Sequence, residues 1–528
     1  MYKVLVSDPL AKEGVEILEK NNEFSVTVKT GMKPDELKSM ISEFDGLLVR
    51  SETKVTKEIL DVAEKLKIIG RAGTGVDNID TKEASKKGIV VMNVPGGNTI
   101  SAAEHAVSML LALSRNIPQA NASLKKKEWK KKEFVGVEVF GKTVGVVGLG
   151  KIGLEVAKRL LSFGIKVLVY DPFVSKERAM QLGVETVSLD ELFKNSDYIT
   201  IHTPKTEATK NMVNSETIKK MKDGVRIVNC ARGGLIDEQA LAEALKSGKV
   251  KGAALDVFEK EPLTESPFFE MNNVIMTPHL GASTEEAQTS VSVEIVKQLV
   301  EYFTNGTIRN AVNFPYIPSD VFQKMQPYIL LSEKLGSFSS QMMQGRILSV
   351  GIGYSGEATK YDLSPITIAA VKGMLDPVSE EGTINFINAS YIAQEKGIKI
   401  SESRVPDVSD FTNLISVKLK TENGESVISG TVFGKSDIRI VKINDYYVDV
   451  EITENILIFT NADKPGVIGK VGTILGKNSI NIAAMEVGRK QVGGDAITIV
   501  NVDLSIPDKV LSEIKEQSEI KNVKMIKL

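Results

Sequence analysis

Apolar residues recur along this chain in two alternating rhythms. From residue 1 to about 98, short apolar runs (YKVLVSD, FSVTVKT, DGLLVRS, KIIGRAG, IVVMNVP) are interleaved with stretches at helical spacing (AKEGVEILEK, PDELKSMISEF, TKEILDVAEKL). Such alternation predicts parallel βαβ units. A long apolar-faced helix, SAAEHAVSMLLALSR, leads into a second series: KTVGVVGLG, IKVLVYD, YITIHTP, VRIVNCA, KGAALDV and NVIMTPH. EEAQTSVSVEIVKQLVEYFTNG then reads as one amphipathic helix returning to the first sheet. The expected α/β core is therefore two doubly wound parallel-sheet domains. One is a discontinuous domain of residues 1–98 plus 286–310, and the other spans 99–285. The chain would cross between them near residues 98 and 286.

The stretch NAVNFPYIP carries two prolines and no clear period, which predicts a linker. From 317 to 450 the texture changes. RILSVGIGYSG, ESVISGTVFG and IRIVKINDYYVDVE read as sheet, and PITIAAVKGMLD and NFINASYIAQEKG as helix, an α+β domain. The tail, 453–528, reads strand, helix, strand, strand, helix, strand, a ferredoxin-like order.

Composition adds mainly exclusions. Lys plus Arg (66) nearly balances Asp plus Glu (68), which gives no support to a nucleic-acid or membrane-surface role. A single cysteine excludes an intrachain disulfide and fits a reducing compartment. The N-terminus lacks a secretory pattern, and no apolar run reaches the ~20 residues of a membrane span. A cytoplasmic location is expected.

The candidate chemistry lies in the second series. Gly148, Gly150 and Gly153 match GxGxxG between a strand and a helix. These positions allow a tight turn, close approach of a pyrophosphate and close helix–strand packing. The next strand ends at Asp171, an acidic side chain suited to the ribose hydroxyls of NAD and repellent to a 2′-phosphate. The first sheet has no such turn. Further on stand Arg232 in NCARGGLID, Glu261 in FEKEP and His279 in TPHLGAST. Oxidising a hydroxy acid at C2 requires loss of the hydroxyl proton, and a histidine near neutrality suits that step. Glu261 would orient the imidazole. Arg232 offers a planar fork for a carboxylate.

Substrate contacts are expected from Arg50, Ser51, Gly73, Thr74 and Gly75 at first-domain strand ends, and from Asn98 at the first crossing. The basic run SLKKKEWKKKEF around Trp129 reads as a solvated face, or as a positive field or partner-subunit contact. His105, on an apolar helix, reads as a packing or interface position. His202 reads as structural, and Cys230 as inert. No metal is expected.

With these motifs in place, residues 1–310 resemble the D-isomer-specific 2-hydroxyacid dehydrogenases through RAGTGVDNID, GGNTISAAEHA, GLGKIG, IHTP, NCARGGLIDE, ALDVFEKEP and PHLGAST. The whole-chain order resembles the long-chain branch of that family that oxidises 3-phospho-D-glycerate. The resemblance implies a flavodoxin-like substrate domain, a Rossmann NAD domain, an intervening domain and an ACT domain. It implies NAD as cofactor, the first step of phosphorylated serine synthesis as the reaction, L-serine as effector and a homotetramer as the assembly. It places Arg232, Glu261 and His279 at catalytic positions. Lys151, Ile152, Thr203, Cys230, Ala231, Asp256, Leu280, Gly281 and Ala282 fall at cofactor positions beside the glycines, Asp171, Arg232 and His279, with Thr74 near the nicotinamide. Asn461, Asp463 and Asn481 match serine-contact positions. Two rivals remain. One is another member of the same family, such as a glyoxylate or hydroxypyruvate reductase or an enzyme with 2-oxoglutarate side activity. The other is an NAD(H)-sensing binding protein without turnover.

Overall fold

The computed structural model describes residues 1–315, 319–380, 382–404 and 411–528. The last three residues of the expected linker, 316–318, lie outside them. Among the described residues the chain forms four sheets.

In spatial order the first sheet is Phe24–Val28, Tyr2–Val6, Gly46–Val49, Ile68–Arg71 and Val90–Met92, all parallel. This is the doubly wound 2-1-3-4-5 order. The strands are nearly all apolar because helices cover both faces. One covering element is the helix Glu285–Asn305, whose Val291, Ile295, Val296 and Leu299 pack against Val4, Val6, Leu48 and Met92. A glycine at position 14 lets this helix come close. A methyl there would lie 2.9 Å from the Ser292 carbonyl carbon.

The second sheet is parallel throughout: Val274–Met276, Val250–Leu255, Val225–Asn229, Tyr198–Ile201, Thr143–Val147, Lys166–Tyr170, Glu185–Thr186. Its order reverses at Thr143–Val147, which puts the strand feeding the glycine turn at the topological switch point. Ligands bind there, beyond the carboxyl ends of the strands. The helix Thr99–Arg115 packs Ala103, Ala106, Leu110 and Leu113 on this sheet. At the crossings, the Ser101 hydroxyl lies 2.8 Å from the hydroxyl of Thr284, the N-cap of the returning helix.

The region after 319 departs from the reading of its sequence. A 24-residue helix, Ser319–Met342, runs through Pro327 and packs on Ser364–Leu375. Its sheet is Lys399–Arg404, Ile347–Gly356, Asn413–Thr421, Gly424–Phe433, Asp437–Ile443, Tyr446–Glu451. The stretch IRIVKINDYYVDVE is two strands of a hairpin, with Asn444 in the left-handed region at the turn (φ 52°). The last sheet, Ile482–Arg489, Asp495–Val502, Asn455–Ala462, Ile520–Lys527, is antiparallel with helices on one face. Its other face contributes Ile456, Ile458, Ile497 and Ile499 to the core of the preceding domain. That domain also touches the first sheet. Asn385 donates to the Gly88 carbonyl at 2.9 Å, and Ile387 is buried among first-domain residues. No helix among the described residues is long and apolar enough to cross a membrane.

Candidate active site

The glycine turn is shaped by contacts that exclude side chains. A methyl on Gly148 (φ 92°) would lie 2.6 Å from the His202 carbonyl oxygen, and one on Gly153 would overlap the Gly148 carbonyl oxygen. A methyl on Gly150 would meet open space, so the mouth of the turn is free. The helix Lys151–Ser162 starts there and aims its first amides outward. This cradle fits a dinucleotide pyrophosphate. Asp171 closes its far side, accepting from the Leu149 amide at 2.7 Å and the Phe173 amide at 2.8 Å. Lys151 reaches across to the first crossing and donates to the Pro95 carbonyl at 3.2 Å. Gly153→Ala is expected to force strand and helix apart. It should weaken NADH binding by tenfold or more, measured by quenching or transfer of NADH fluorescence.

Strand ends bring the expected catalytic residues together. His279 follows Val274–Met276, and its Nδ1 lies 2.8 Å from Glu261 Oε2. Glu261 Oε1 accepts from the Phe258 amide at 3.0 Å. Burial would raise the Glu261 carboxyl, but the bonds from His279 and the Phe258 amide outweigh it and hold it below its ordinary value. The pair is half exposed, open to an incoming molecule. Arg232 follows Val225–Asn229. Its Nη1 donates to the Ala231 carbonyl at 2.7 Å, and its Nε pairs with Asp77 of the first domain at 3.1 Å.

The facing wall comes from the first domain, where a buried polar network sets the loops. The Asp8 carboxylate accepts from the Arg50 and Thr53 amides, and Asn78 donates to the Arg50 and Thr53 carbonyls. The Thr74 hydroxyl donates to Asn98 Oδ1 at 2.8 Å, tying the glycine-rich turn to the first crossing. Ser51 stands exposed beside Arg50. Gly73 and Gly75 are small for a reason. Side chains there would strike the guanidinium groups of Arg71 and Arg232, respectively.

Arg71 is the wall residue that sequence reasoning missed. It ends the strand Ile68–Arg71, and its Nε donates to the Arg50 carbonyl at 3.2 Å. Burial pushes its guanidinium down to about 10, and the neighbouring charges of Arg232 and Arg50 push the same way. Arg232 repels it from across the cleft and Arg50 from its own wall, with Asp77 and Asp8 opposing. The one available signal was its place as the last residue of an apolar run, at a strand's carboxyl end.

The remaining expected positions divide. Thr203 lies beside Gly148 of the glycine turn, Ala231, Leu280 and Ala282 follow strand ends of the same sheet, and Ile152 lies inside the first helical turn. Cys230 is a free thiol raised by burial and by Asp256. His202 is bonded to the Thr200 hydroxyl at 2.9 Å, and burial lowers its imidazole to about 4, so it is neutral. Asp256 is fully buried and bonded to the amides of Leu280 and Gly281. His105, read from sequence as a packing or interface position, is also a hydrogen-bond partner of Asp256.

The expected effector positions of the last domain differ in exposure. Asn461 is only 5% exposed, its Oδ1 accepting from Thr498 and its Nδ2 donating to the Ala462 carbonyl. Asp463 holds Arg489 and the Gly493 amide at a more open position, and Asn481 is exposed and bonded to Asp503.

Comparison with known proteins agrees with this geometry. Residues 107–281 match the D-isomer specific 2-hydroxyacid dehydrogenase NAD binding domain. Residues 324–444 match the D-3-phosphoglycerate dehydrogenase intervening domain, and 455–519 the ACT domain. The structure is similar to a D-lactate dehydrogenase from Aquifex aeolicus, solved with NAD and lactic acid. That likeness has a TM-score of 0.54 and 32% identity, over 59% of this chain and 99% of that one. A D-3-phosphoglycerate dehydrogenase from Synechocystis sp. is 45% identical, over 100% of this chain and 95% of that protein. Those of Bacillus subtilis and Methanocaldococcus jannaschii are each 44% identical over the whole of both chains. The chain belongs to the D-isomer specific 2-hydroxyacid dehydrogenase family, whose cofactor domain binds NAD. Within that family it belongs with the D-3-phosphoglycerate dehydrogenases, the group that also carries the intervening and ACT domains.

Proposed function

We propose that this protein oxidises 3-phospho-D-glycerate to 3-phosphohydroxypyruvate with NAD, the entry step of phosphorylated L-serine synthesis. The observation that carries the substrate assignment is the facing of Arg71 and Arg50 against Arg232, with the half-exposed His279–Glu261 pair at strand ends of the same sheet as Arg232. Three cations gathered at one cleft, one of them desolvated, suit a substrate with anionic groups at both ends. A glyoxylate or hydroxypyruvate reductase would leave that charge uncompensated.

Bound NAD supplies the hydride acceptor. Arg232 grips the carboxylate through the edge of its fork facing Gly75, while Asp77 holds Nε. Arg71 and Arg50 take the phosphate. His279 removes the hydroxyl proton as the C2 hydrogen leaves as hydride, and Glu261 stabilises the imidazolium that results. Closing the unit of residues 1–98 and 286–310 onto 99–285 excludes water from the cleft.

Loss of Arg71 should discriminate the two ends of the substrate. A charge-assisted hydrogen bond contributes about 1.5–3 kcal/mol. Arg71→Leu should therefore lower kcat/KM for 3-phospho-D-glycerate by about 10- to 150-fold, at 1.4 kcal/mol per tenfold. The residual rate on unphosphorylated D-glycerate should change little. Equal losses on both substrates would overturn the assignment of the phosphate to this wall.

Glu261 also sets the pH response. Its carboxyl lies below the ordinary value, so the carboxylate persists above that depressed pKa and the pairing is lost only as pH falls through it. In Glu261→Gln the imidazole loses the carboxylate that orients it, so kcat/KM should fall by about tenfold or more wherever that carboxylate is present, and the two forms should converge only below its depressed pKa. The check is kcat/KM against pH for both forms.

An ACT domain makes an amino acid the effector class. L-serine, held near Asp463 and Asn481, is the reading we favour. It would act through the core shared by the last two domains and the Ile387 contact with the first. The segment 117–140 exposes Ile117, Leu124, Trp129 (82%), Val135 and Phe140. This much exposed apolar surface suits a subunit contact in a homotetramer. We assign the protein to the cytoplasm.

A further inference from the structure

His105 is a histidine that the proposed reaction does not use. It stands on the helix Thr99–Arg115, one turn beyond Ser101 at the first crossing. Its Nε2 lies 3.1 Å from Asp256 Oδ1 and 3.2 Å from the Thr277 hydroxyl. Asp256 has no exposed surface. Its Oδ1 also accepts from the Thr277 hydroxyl at 2.6 Å and the Leu280 amide at 2.7 Å, and its Oδ2 from the Gly281 amide at 2.9 Å. Its own carbonyl accepts from the His279 amide at 2.9 Å.

One residue thus holds three consecutive amides, 279 to 281. Those bonds keep His279 in the left-handed region, φ 55°. A side chain beyond glycine occupies that region at a cost and stays there only where its surroundings over-determine it. A carboxylate without water must in turn be compensated by donors. Among the donors to Asp256, His105 alone can carry a charge. It is also the only one of them from the helix that begins at the crossing.

We propose that His105 is a positioning residue: its Nε2–H bond fixes Asp256, and through Asp256 the loop that aims His279 at the substrate hydroxyl. The bond also ties that loop to the helix that starts at the first crossing. Burial would raise the Asp256 carboxyl, yet the bonds from His105, Thr277 and Leu280 hold it below its ordinary value. The Cys230 thiol lies in the same cluster, with its sulfur within 4.8 Å of the other two groups. Burial and Asp256 raise it, so it remains a thiol, and the cluster works as a hydrogen-bonded support and not as a thiolate metal site.

The inference rests on the reading of His279 as the base, and the test separates the two. His105→Leu and His105→Gln are compared with the unaltered full chain. The measurements are kcat, both KM values, NADH affinity and the imidazole resonances of isotope-labelled histidine. The chain has three histidines, so the signals of 202 and 279 can be followed alone in the variants. In His105→Leu, kcat should fall about 10- to 100-fold, with KM values and NADH affinity within about threefold and the His279 resonance displaced. In His105→Gln the side-chain amide can donate from nearly the place of Nε2, and kcat should return to within about threefold of the unaltered protein. An unmoved His279 resonance in His105→Leu would overturn the proposal. So would equal losses of kcat, NADH affinity and thermal stability in both variants, which would mark a merely structural histidine. If the unaltered protein gives no turnover with 3-phospho-D-glycerate, the substrate reading fails, and the resonance of His279 still decides the role of His105.

Discussion

Replacing His279 with alanine is expected to lower kcat by about 10²- to 10⁴-fold, the range for loss of a positioned general base. NADH affinity should stay within a few-fold of the unaltered protein. The reason is geometric. The imidazole meets Glu261 at 2.8 Å and is half exposed at the mouth of the cleft, whereas the pyrophosphate cradle is made by the turn at Gly148–Gly153. The loop itself survives the substitution, because Asp256 holds it through the backbone amides of 279 to 281. Stopped-flow NADH binding beside steady-state turnover makes the check. Loss of both together would mean that the histidine maintains the cofactor site and does not serve as the base.

Replacing Arg232 with leucine is expected to produce the second large effect. Its guanidinium reaches across the cleft, bonded to Asp77 at 3.1 Å and to its own domain through the Ala231 carbonyl at 2.7 Å. A carboxylate that loses such a partner in a closed site loses about 2–4 kcal/mol. At 1.4 kcal/mol per tenfold, kcat/KM should fall by about 30- to 700-fold. Arg232→Lys should recover only part of this, because an ammonium keeps the charge and lacks the planar fork. Exposed Asp77 loses little when its partner goes, so thermal stability should hardly change. Melting curves for both variants test that point. A large drop in stability would show that Arg232 holds the domains together instead of gripping substrate.

The elements that place the site could be read because their patterns are strong. Parallel strands buried on both faces appear as continuous apolar runs, and Gly148 and Gly153 sit where a side chain would strike neighbouring backbone, with Gly150 open between them. The helix Ser319–Met342 gave no such signal. It is buried on several sides, so Ser332, Ser339 and Ser340 lie inside with Leu331, Leu335 and Phe338, and the apolar stripe is lost. The strand Lys399–Arg404 is almost wholly exposed and polar. Only pairing with Ser349–Tyr354 makes it a strand.

Partners distant in sequence were hidden in the same way. His105 has apolar neighbours along its helix, and nothing local points to Asp256 across the domain. Arg71 was masked by its motif, whose glycines draw the eye to the turn. Asn461 fits a ligand-loop pattern by position, yet its side chain alternates to the inner face of its strand and bonds to Thr498. In each case the type of residue was visible and its direction was not, because direction follows from register and packing.

The most direct test of the account is the rate of NADH formation by the purified protein with 3-phospho-D-glycerate and NAD, a ketone trap removing the product. The account predicts steady turnover, with little on unphosphorylated D-glycerate and little when NADP replaces NAD. Tight NADH binding with no turnover on either acid, or equal rates on both, would contradict it.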